Sequence, residues 1–62
     1  MLPLLNPDSS TPLFDQVYRF FKQSIIDGTL EFNTQLPSIR QLAKSLAVSN
    51  NTVIMAYQQL TD

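Results

Sequence analysis

The residues of this sequence that could do chemistry are few, and the usual catalytic groupings are missing among them. The sequence has no cysteine and no histidine, which removes the usual nucleophile–base pairs and the commonest metal ligands. Its five carboxylates form no pair that their spacing reveals, and a single glycine cannot build a glycine-rich phosphate loop. We therefore predict that the chain is not an enzyme, needs no cofactor and holds no metal ion.

The polar run Ser49-Asn50-Asn51-Thr52 is the stretch best suited to recognition. An asparagine amide can bond bidentately to adenine, and a serine or threonine hydroxyl can bond to bases or phosphates. A recognition helix presents its N-terminal residues to the base edges of the major groove, and its free backbone N–H groups favour a phosphate. The alternative is that these residues only cap a helix and form a turn. The four residues alone fit both interpretations.

Three other side chains have two interpretations each. Arg40 lies off the apolar pattern of its segment, so it is either a solvated charge or a clamp for a phosphate or a guanine edge. Lys44, one turn later, is better explained as a solvated charge. Tyr57, like the phenylalanines, could stack on unpaired bases, but its helical spacing favours packing in the core.

The first element that must position these residues is a helix with Ser10 or Thr11 as its N-cap and Pro12 in the first turn. Gly28 should end it in a left-handed conformation. Its apolar stripe recurs every three or four residues. The stripe consists of Phe14, Val17, Tyr18, Phe21 and Ile25, with Phe20 and Ile26 lying off it.

Two shorter helices follow. Ser38 and Gln41 have the spacing of a capping box, and Ser49 is a suitable N-cap for the third helix. Val48 should pack on Val53 as a hydrophobic staple. The apolar stripes are Ile39, Leu42, Ala43 and Leu46 in helix 2, and Val53, Ala56, Tyr57 and Leu60 in helix 3. Two short helices joined by about three residues are typical of a helix–turn–helix.

The remaining segments are connections. Residues 1–10, with two prolines, are predicted to form a flexible N-terminal arm, and residues 11–62 the domain itself. In the connector 29–37, Gln35-Leu36 could make a very short strand. Pro37 keeps the preceding residue out of the helical region.

Charge is distributed unevenly along the 62 residues. The formal net charge of −1 counts mildly against a nucleic-acid partner. No acidic residue lies between Asn33 and Thr61, however, and this stretch contains Arg40 and Lys44. The second half is thus weakly basic. No stretch resembles a membrane span or a signal peptide, so we expect a soluble, cytoplasmic protein.

Several motifs occur in order along the chain. They are Pro12-Leu13-Phe14-x-Gln16-Val17, Phe21-Lys22-x-x-Ile25-x-x-Gly28-x-Leu30, Leu36-Pro37-Ser38-x-Arg40-x-Leu42-Ala43, and Val48-Ser49-x-x-Thr52-Val53 followed by Ala56-Tyr57-x-x-Leu60. Together they resemble the DNA-binding domain of GntR-family bacterial transcription regulators, and the last resembles the MocR-like and YtrA-like branches.

The resemblance implies a winged helix–turn–helix that binds operator DNA as a homodimer, with helix 3 in the major groove. It places effector sensing or dimerisation in a C-terminal region, similar to a pyridoxal-phosphate-dependent aminotransferase in one branch and a short helical tail in the other. We expect that region to be absent from this chain. The residues that would face double-stranded DNA are Ser38, Arg40, Ser49, Asn50, Asn51 and Thr52.

The sequence departs from the family pattern at four places. Phe32-Asn33 replaces a common Pro-Gly, and Ala47 replaces a common glycine, at some cost if its φ is positive. Asn50 stands where an arginine is frequent, so we expect weaker and less salt-dependent binding. The family continues after Leu60 into a two-stranded wing, which we expect to be missing because the sequence stops at Asp62.

The sequence therefore predicts an all-α, three-helix, helix–turn–helix bundle of the winged-helix type without its wing, which binds specific DNA sequences in transcription regulation. A protein-interaction or dimerisation module with little DNA binding of its own is the alternative, favoured by the low positive charge. A third, weaker interpretation is a regulatory appendage of a pyridoxal-phosphate enzyme.

Overall fold

The computed structural model of the chain describes residues 3–31 and 35–61. These residues form three helices, α1 (Leu13–Ile26), α2 (Ile39–Leu46) and α3 (Asn50–Thr61), and no strand. The prediction of an all-α, three-helix domain is confirmed. The proposed strand at Gln35-Leu36 is wrong, because no other described segment is a strand that could complete a ladder with it. The departure at Phe32-Asn33 lies outside the described residues.

Helix α1 begins later than predicted. Its N-cap is Pro12, with φ −56° and ψ 148°, rather than Ser10 or Thr11. The Pro12 carbonyl accepts the N–H groups of Asp15 and Gln16, both at 3.1 Å. The earlier residues belong to the preceding turn, because Ser9 Oγ accepts the Thr11 N–H at 3.1 Å. Local turn bonding thus takes the place of a side-chain cap.

Gly28 ends α1 as predicted, with a φ of +82° that L-residues rarely adopt. Its N–H donates to the Ile25 carbonyl at 3.3 Å, and the Leu30 N–H donates to the Ser24 carbonyl at 2.9 Å. Asp27 Oδ1 accepts the Thr29 N–H at 3.0 Å, and hydrogen bonding with Thr29 lowers the pKa of the Asp27 carboxyl. The turn therefore satisfies the last carbonyls of the helix.

Helix α2 is capped at both ends. Ser38 Oγ accepts the Gln41 N–H at 3.1 Å, which is one of the two bonds of the predicted capping box. At the other end Ala47 has φ 58° and ψ 43°, so the positive φ considered for this position is confirmed. The Ala47 N–H donates to the Lys44 carbonyl at 3.3 Å, and the Val48 N–H donates to the Ala43 carbonyl at 3.0 Å. This pair of bonds is a Schellman motif with alanine where glycine is usual.

The core lies where the three apolar stripes meet. Helix α3 packs against both α1 and α2 and is the central element of the bundle. Val48 packs against this core, as a staple residue would. The buried apolar residues come in pairs from the three helices: Val17 and Phe21, Leu42 and Ala43, and Val53 and Ala56.

Two details of α1 differ from its predicted stripe. Ser24 is buried, and its hydroxyl donates to the Phe20 carbonyl at 2.9 Å, which satisfies the polar group inside the core. Phe20 lies off the stripe but packs against the core, with its ring edge-on to that of Phe21 at a centroid distance of 5.3 Å. Ile26 stays 66% exposed.

Part of the segment 3–10 packs on the rest of the domain. Pro3 is buried and Leu5 packs on the core. The side chain of Gln16 binds both backbone groups of Asn6, accepting its N–H at 2.8 Å and donating to its carbonyl at 2.9 Å. The same amide donates to the Thr11 carbonyl at 2.8 Å. The predicted boundary between an arm and a domain at residue 10 stays a prediction.

None of the helices in the two described ranges has both the length and the apolar character needed to cross a bilayer.

Candidate nucleic-acid interface

The six residues predicted to face DNA lie at the starts of α2 and α3. All are exposed except Thr52, which is half-buried. They form two groups: Ser38 and Arg40 at α2, and the run 49–52 at α3. Each group is held by its own cap, so the local sequence determines its geometry.

Within the α3 group, Ser49 and Thr52 bond to each other. Ser49 Oγ accepts the Thr52 N–H at 3.1 Å, and the two hydroxyl oxygens are 2.9 Å apart. Ser49 is therefore the N-cap that the sequence predicted. Asn50 and Asn51 remain exposed in the first turn, where their amides can meet a ligand without giving up a cap.

In the α2 group, Ser38 acts as the cap and Arg40 is exposed. Within the described residues Arg40 has no carboxylate within salt-bridge distance, since the one ion pair there joins Arg19 and Asp15. Lys44 is exposed one turn after Arg40. The guanidinium can therefore bind an anion without first breaking an ion pair.

Tyr57 connects the two groups. Its hydroxyl donates to the Pro37 carbonyl at 2.7 Å, directly before the α2 cap. Burial raises the pKa of the Tyr57 phenol, which keeps the hydroxyl protonated as a donor. Since a helix rises 1.5 Å per residue, Tyr57 is about 10 Å along α3 from Asn50. The bond thus places the start of α2 beside the third turn of α3.

The outer face of α3 contains two residues beyond the polar run 49–52. Met55 and Gln58 follow Asn51 by four and seven residues and share its face, opposite the buried Val53 and Ala56. The Asn51 amide Nδ2 donates to Met55 Sδ at 3.5 Å. The spacing alone could have identified Met55 and Gln58. No sequence pattern indicates the bond between Tyr57 and Pro37, because 20 positions separate the two residues.

Each charged side chain of α1 has a partner within the same helix. Arg19 Nε lies 3.1 Å from Asp15 Oδ2, and Lys22 Nζ lies 5.5 Å from the centre of the Tyr18 ring. With Gln23 these four residues line a shallow depression. We call these five residues the helix 1 patch. None of the six residues predicted to face DNA lines this depression.

Comparison with known proteins decides the family. Residues 13–62 match the family described as "Bacterial regulatory proteins, gntR family". The chain belongs to the GntR family. Its predicted resemblance is therefore confirmed, and with it the class of the domain: a helix–turn–helix DNA-binding domain of a bacterial regulator rather than an enzyme.

Curated relatives agree with this assignment of the GntR-family domain. It is 48% identical over 59 residues to the uncharacterized HTH-type transcriptional regulator YhdI of Bacillus subtilis (strain 168), covering 95% of this chain and 13% of that protein. It is 36% identical over 56 residues to the HTH-type transcriptional repressor YtrA of the same organism, covering 90% and 43%. It is 39% identical over 57 residues to the probable rhizopine catabolism regulatory protein MocR of Rhizobium meliloti, covering 92% and 12%. The chain thus spans less than half the length of each.

Proposed function

We propose that this domain binds operator DNA with α3 in the major groove and regulates transcription from the bacterial cytoplasm. The contact surface, here called the DNA face, consists of Ser38, Arg40, Ser49, Asn50, Asn51 and Thr52. One observation carries the proposal. Asn50 and Asn51 are exposed in the first turn of α3, while the Ser49–Thr52 pair holds that turn in place.

The two groups of the DNA face take different roles. Asn50 and Asn51 lie where a recognition helix meets base edges, and their amides suit adenine. Ser49 and Thr52 supply hydroxyls at a helix start, where the first backbone N–H groups of α3 favour a phosphate. Arg40 binds a phosphate or a flanking guanine from α2. The roughly 10 Å offset between Tyr57 and Asn50 along α3 is comparable to the ~12 Å width of the major groove, so the two groups can contact DNA together.

Binding should depend only weakly on salt. In the stretch 35–61 the cations are Arg40 and Lys44, and there is no acid. Each neutralised phosphate contributes about 0.9 to the slope of log affinity against log salt, so one copy reaches a slope of about 2. Because this electrostatic contribution is small, a second copy of the domain on the same operator would add affinity that one copy lacks. We propose that the domain acts as a homodimer on two half-sites about one helical turn apart, and that effector sensing lies outside residues 11–62.

The test is an amide NMR titration of the chain with a short mixed-sequence duplex at low salt. We expect shifts at Arg40 and at residues 49–52 that fade as salt rises, and none at Arg19 or Lys22 of the helix 1 patch. Arg40→Ala and Asn51→Ala should each abolish most of the binding and leave self-association unchanged. A well-dispersed spectrum in which the DNA-face amides do not shift refutes DNA binding, and self-association altered by these variants would favour an interaction module instead.

A further inference from the structure

The helix proposed to enter the major groove has no charged side chain. Helix α3 runs Asn50–Thr61 with no acid in its first turn and no base in its last, and the intervening residues are neutral as well. Arginine or lysine is the usual partner of guanine O6 and N7, and a carboxylate is the usual partner of cytosine N4. Along α3 neither contact is available. Of the pairings that remain, the two that distinguish one base are an amide with adenine and an apolar side chain with the thymine methyl group.

Both of those groups are present on the outer face of α3, and they touch. The Asn51 amide uses one of its two N–H donors on Met55 Sδ, at 3.5 Å. Its second N–H and its carbonyl oxygen are then free to bond adenine N7 and N6. Met55 is half-buried and Asn51 is exposed. The hydrogen bond therefore orients the amide and holds an apolar side chain directly beside it.

We propose that Asn51 and Met55 together read A·T base pairs, Asn51 bonding an adenine and Met55 contacting a neighbouring thymine methyl. This inference rests on the proposed function and adds the base preference of its central contacts. Arg40, on α2, is then the residue of the DNA face that can contact guanine, at the flank of the site. The operator half-site is A·T at the positions under α3, with any required G·C pair outside them.

Selection from a randomised duplex library by the full chain tests the preference, and base analogues at the selected site test the contacts. We expect 7-deazaadenine at the adenine under Asn51 to weaken binding about tenfold, because it lacks the N7 acceptor, leaves the Asn51 N–H unpaired and so breaks the bidentate contact. Uracil in place of the neighbouring thymine, which removes only the methyl, should weaken it about fourfold. With Met55→Ala the uracil effect should disappear, because the group that contacts the methyl is gone.

Two variants separate the roles of the pair. Met55→Leu keeps an apolar contact but removes the sulfur that orients Asn51, so the effect of uracil should persist while selectivity for adenine falls. Gln59→Ala, an exposed change on the same helix, serves as the matched control and should leave both analogue effects unchanged. An equal uracil penalty in the wild type and Met55→Ala would overturn the inference, as would selection of G·C under α3.

Failure of this inference differs from failure of the proposed function. If the chain binds duplexes in an Arg40-dependent, salt-sensitive manner with no A·T preference, operator binding stands and the base assignment is wrong. If no duplex is bound and Arg40→Ala changes nothing, both are wrong.

Discussion

The helix 1 patch and the DNA face are both polar surfaces, yet their charges are arranged in opposite ways. In the patch, Arg19 is paired with Asp15 and Lys22 lies over the Tyr18 ring. On the DNA face, Arg40 has no acid within salt-bridge distance among the described residues. A net charge of −1 hides this separation. Net charge therefore reports on the whole chain, whereas partner choice depends on which cations have no partner among their neighbours.

The largest expected effect comes from reversing the charge of Arg40. Arg40→Glu removes a phosphate or guanine contact and repels the duplex, so we expect at least a tenfold loss of DNA affinity. A carboxylate in the first turn of α2 suits the helix dipole, so stability should not fall. Fluorescence anisotropy with a labelled duplex measures the affinity. Arg19→Glu in the helix 1 patch is the matched control, and an equal loss there would contradict the distinction between the surfaces.

A cation added to one surface at a time distinguishes the DNA face from the helix 1 patch. Asn50→Arg should raise DNA affinity several-fold at low salt and steepen the salt slope by about 1. Gln23→Arg, in the helix 1 patch, should change neither quantity. Anisotropy titrations at several salt concentrations measure both. A larger gain from Gln23→Arg would place the DNA on α1.

The two left-handed turns, at Ala47 and Gly28, provide a test of how much a positive φ changes the free energy of unfolding. Ala47→Gly relieves an alanine at φ 58°, so it should stabilise the fold by about 1 kcal/mol and raise Tm by roughly 4–8 °C. Gly28→Ala should destabilise it by about as much, since a Cβ there meets no atom within 4 Å and only the backbone φ of +82° is unfavourable. Thermal unfolding followed by circular dichroism measures both. A stabilising Gly28→Ala would show that positive φ is not the cost.

The last expected effect depends on pH and concerns Tyr57. Tyr57→Phe removes the hydroxyl bonded to Pro37 and should cost about 1 kcal/mol. In the wild type, burial raises the pKa of the phenol, so its stabilising contribution is complete below the unfolded pKa of about 10 and is lost as pH rises through the folded value. Denaturant unfolding from pH 8 to 11 measures this. The decline attributable to Tyr57 should be absent in Tyr57→Phe, and an identical decline in both proteins would exclude the phenol as its cause.

Most of the fold could be predicted because its determinants are local. The caps at Ser38 and Ser49 and the left-handed Gly28 each depend on neighbours within a few residues. The predicted start of α1 is wrong because hydrogen bonds in the preceding turn, such as that from the Thr11 N–H to Ser9 Oγ, compete with a side-chain cap.

The candidate site could be predicted only in part, because some of its determinants are not local in the sequence. Asn50 and Asn51 lie exposed at a helix start, as their types suggested. The bond from Tyr57 to Pro37 joins distant parts of the chain, and only the packing of α2 on α3 creates it. Residue type does not indicate Met55, because an apolar residue in a helix usually belongs to the core, whereas Met55 lies on the outer face of α3. Which residues contact DNA stays a prediction.

The central place of α3 has a consequence for how this domain can evolve. One helix of 12 residues both joins the bundle and carries the proposed base-reading residues, on opposite sides. Substitutions at the buried residues Val53 and Ala56 would destabilise the fold, so they cannot serve to change the DNA sequence that is recognised. New operators are therefore accessible through the outward positions, such as Asn50, Asn51 and Met55. Few positions of α3 are both exposed to DNA and unnecessary for folding. The number of DNA sequences that variants of this domain could recognise is therefore limited.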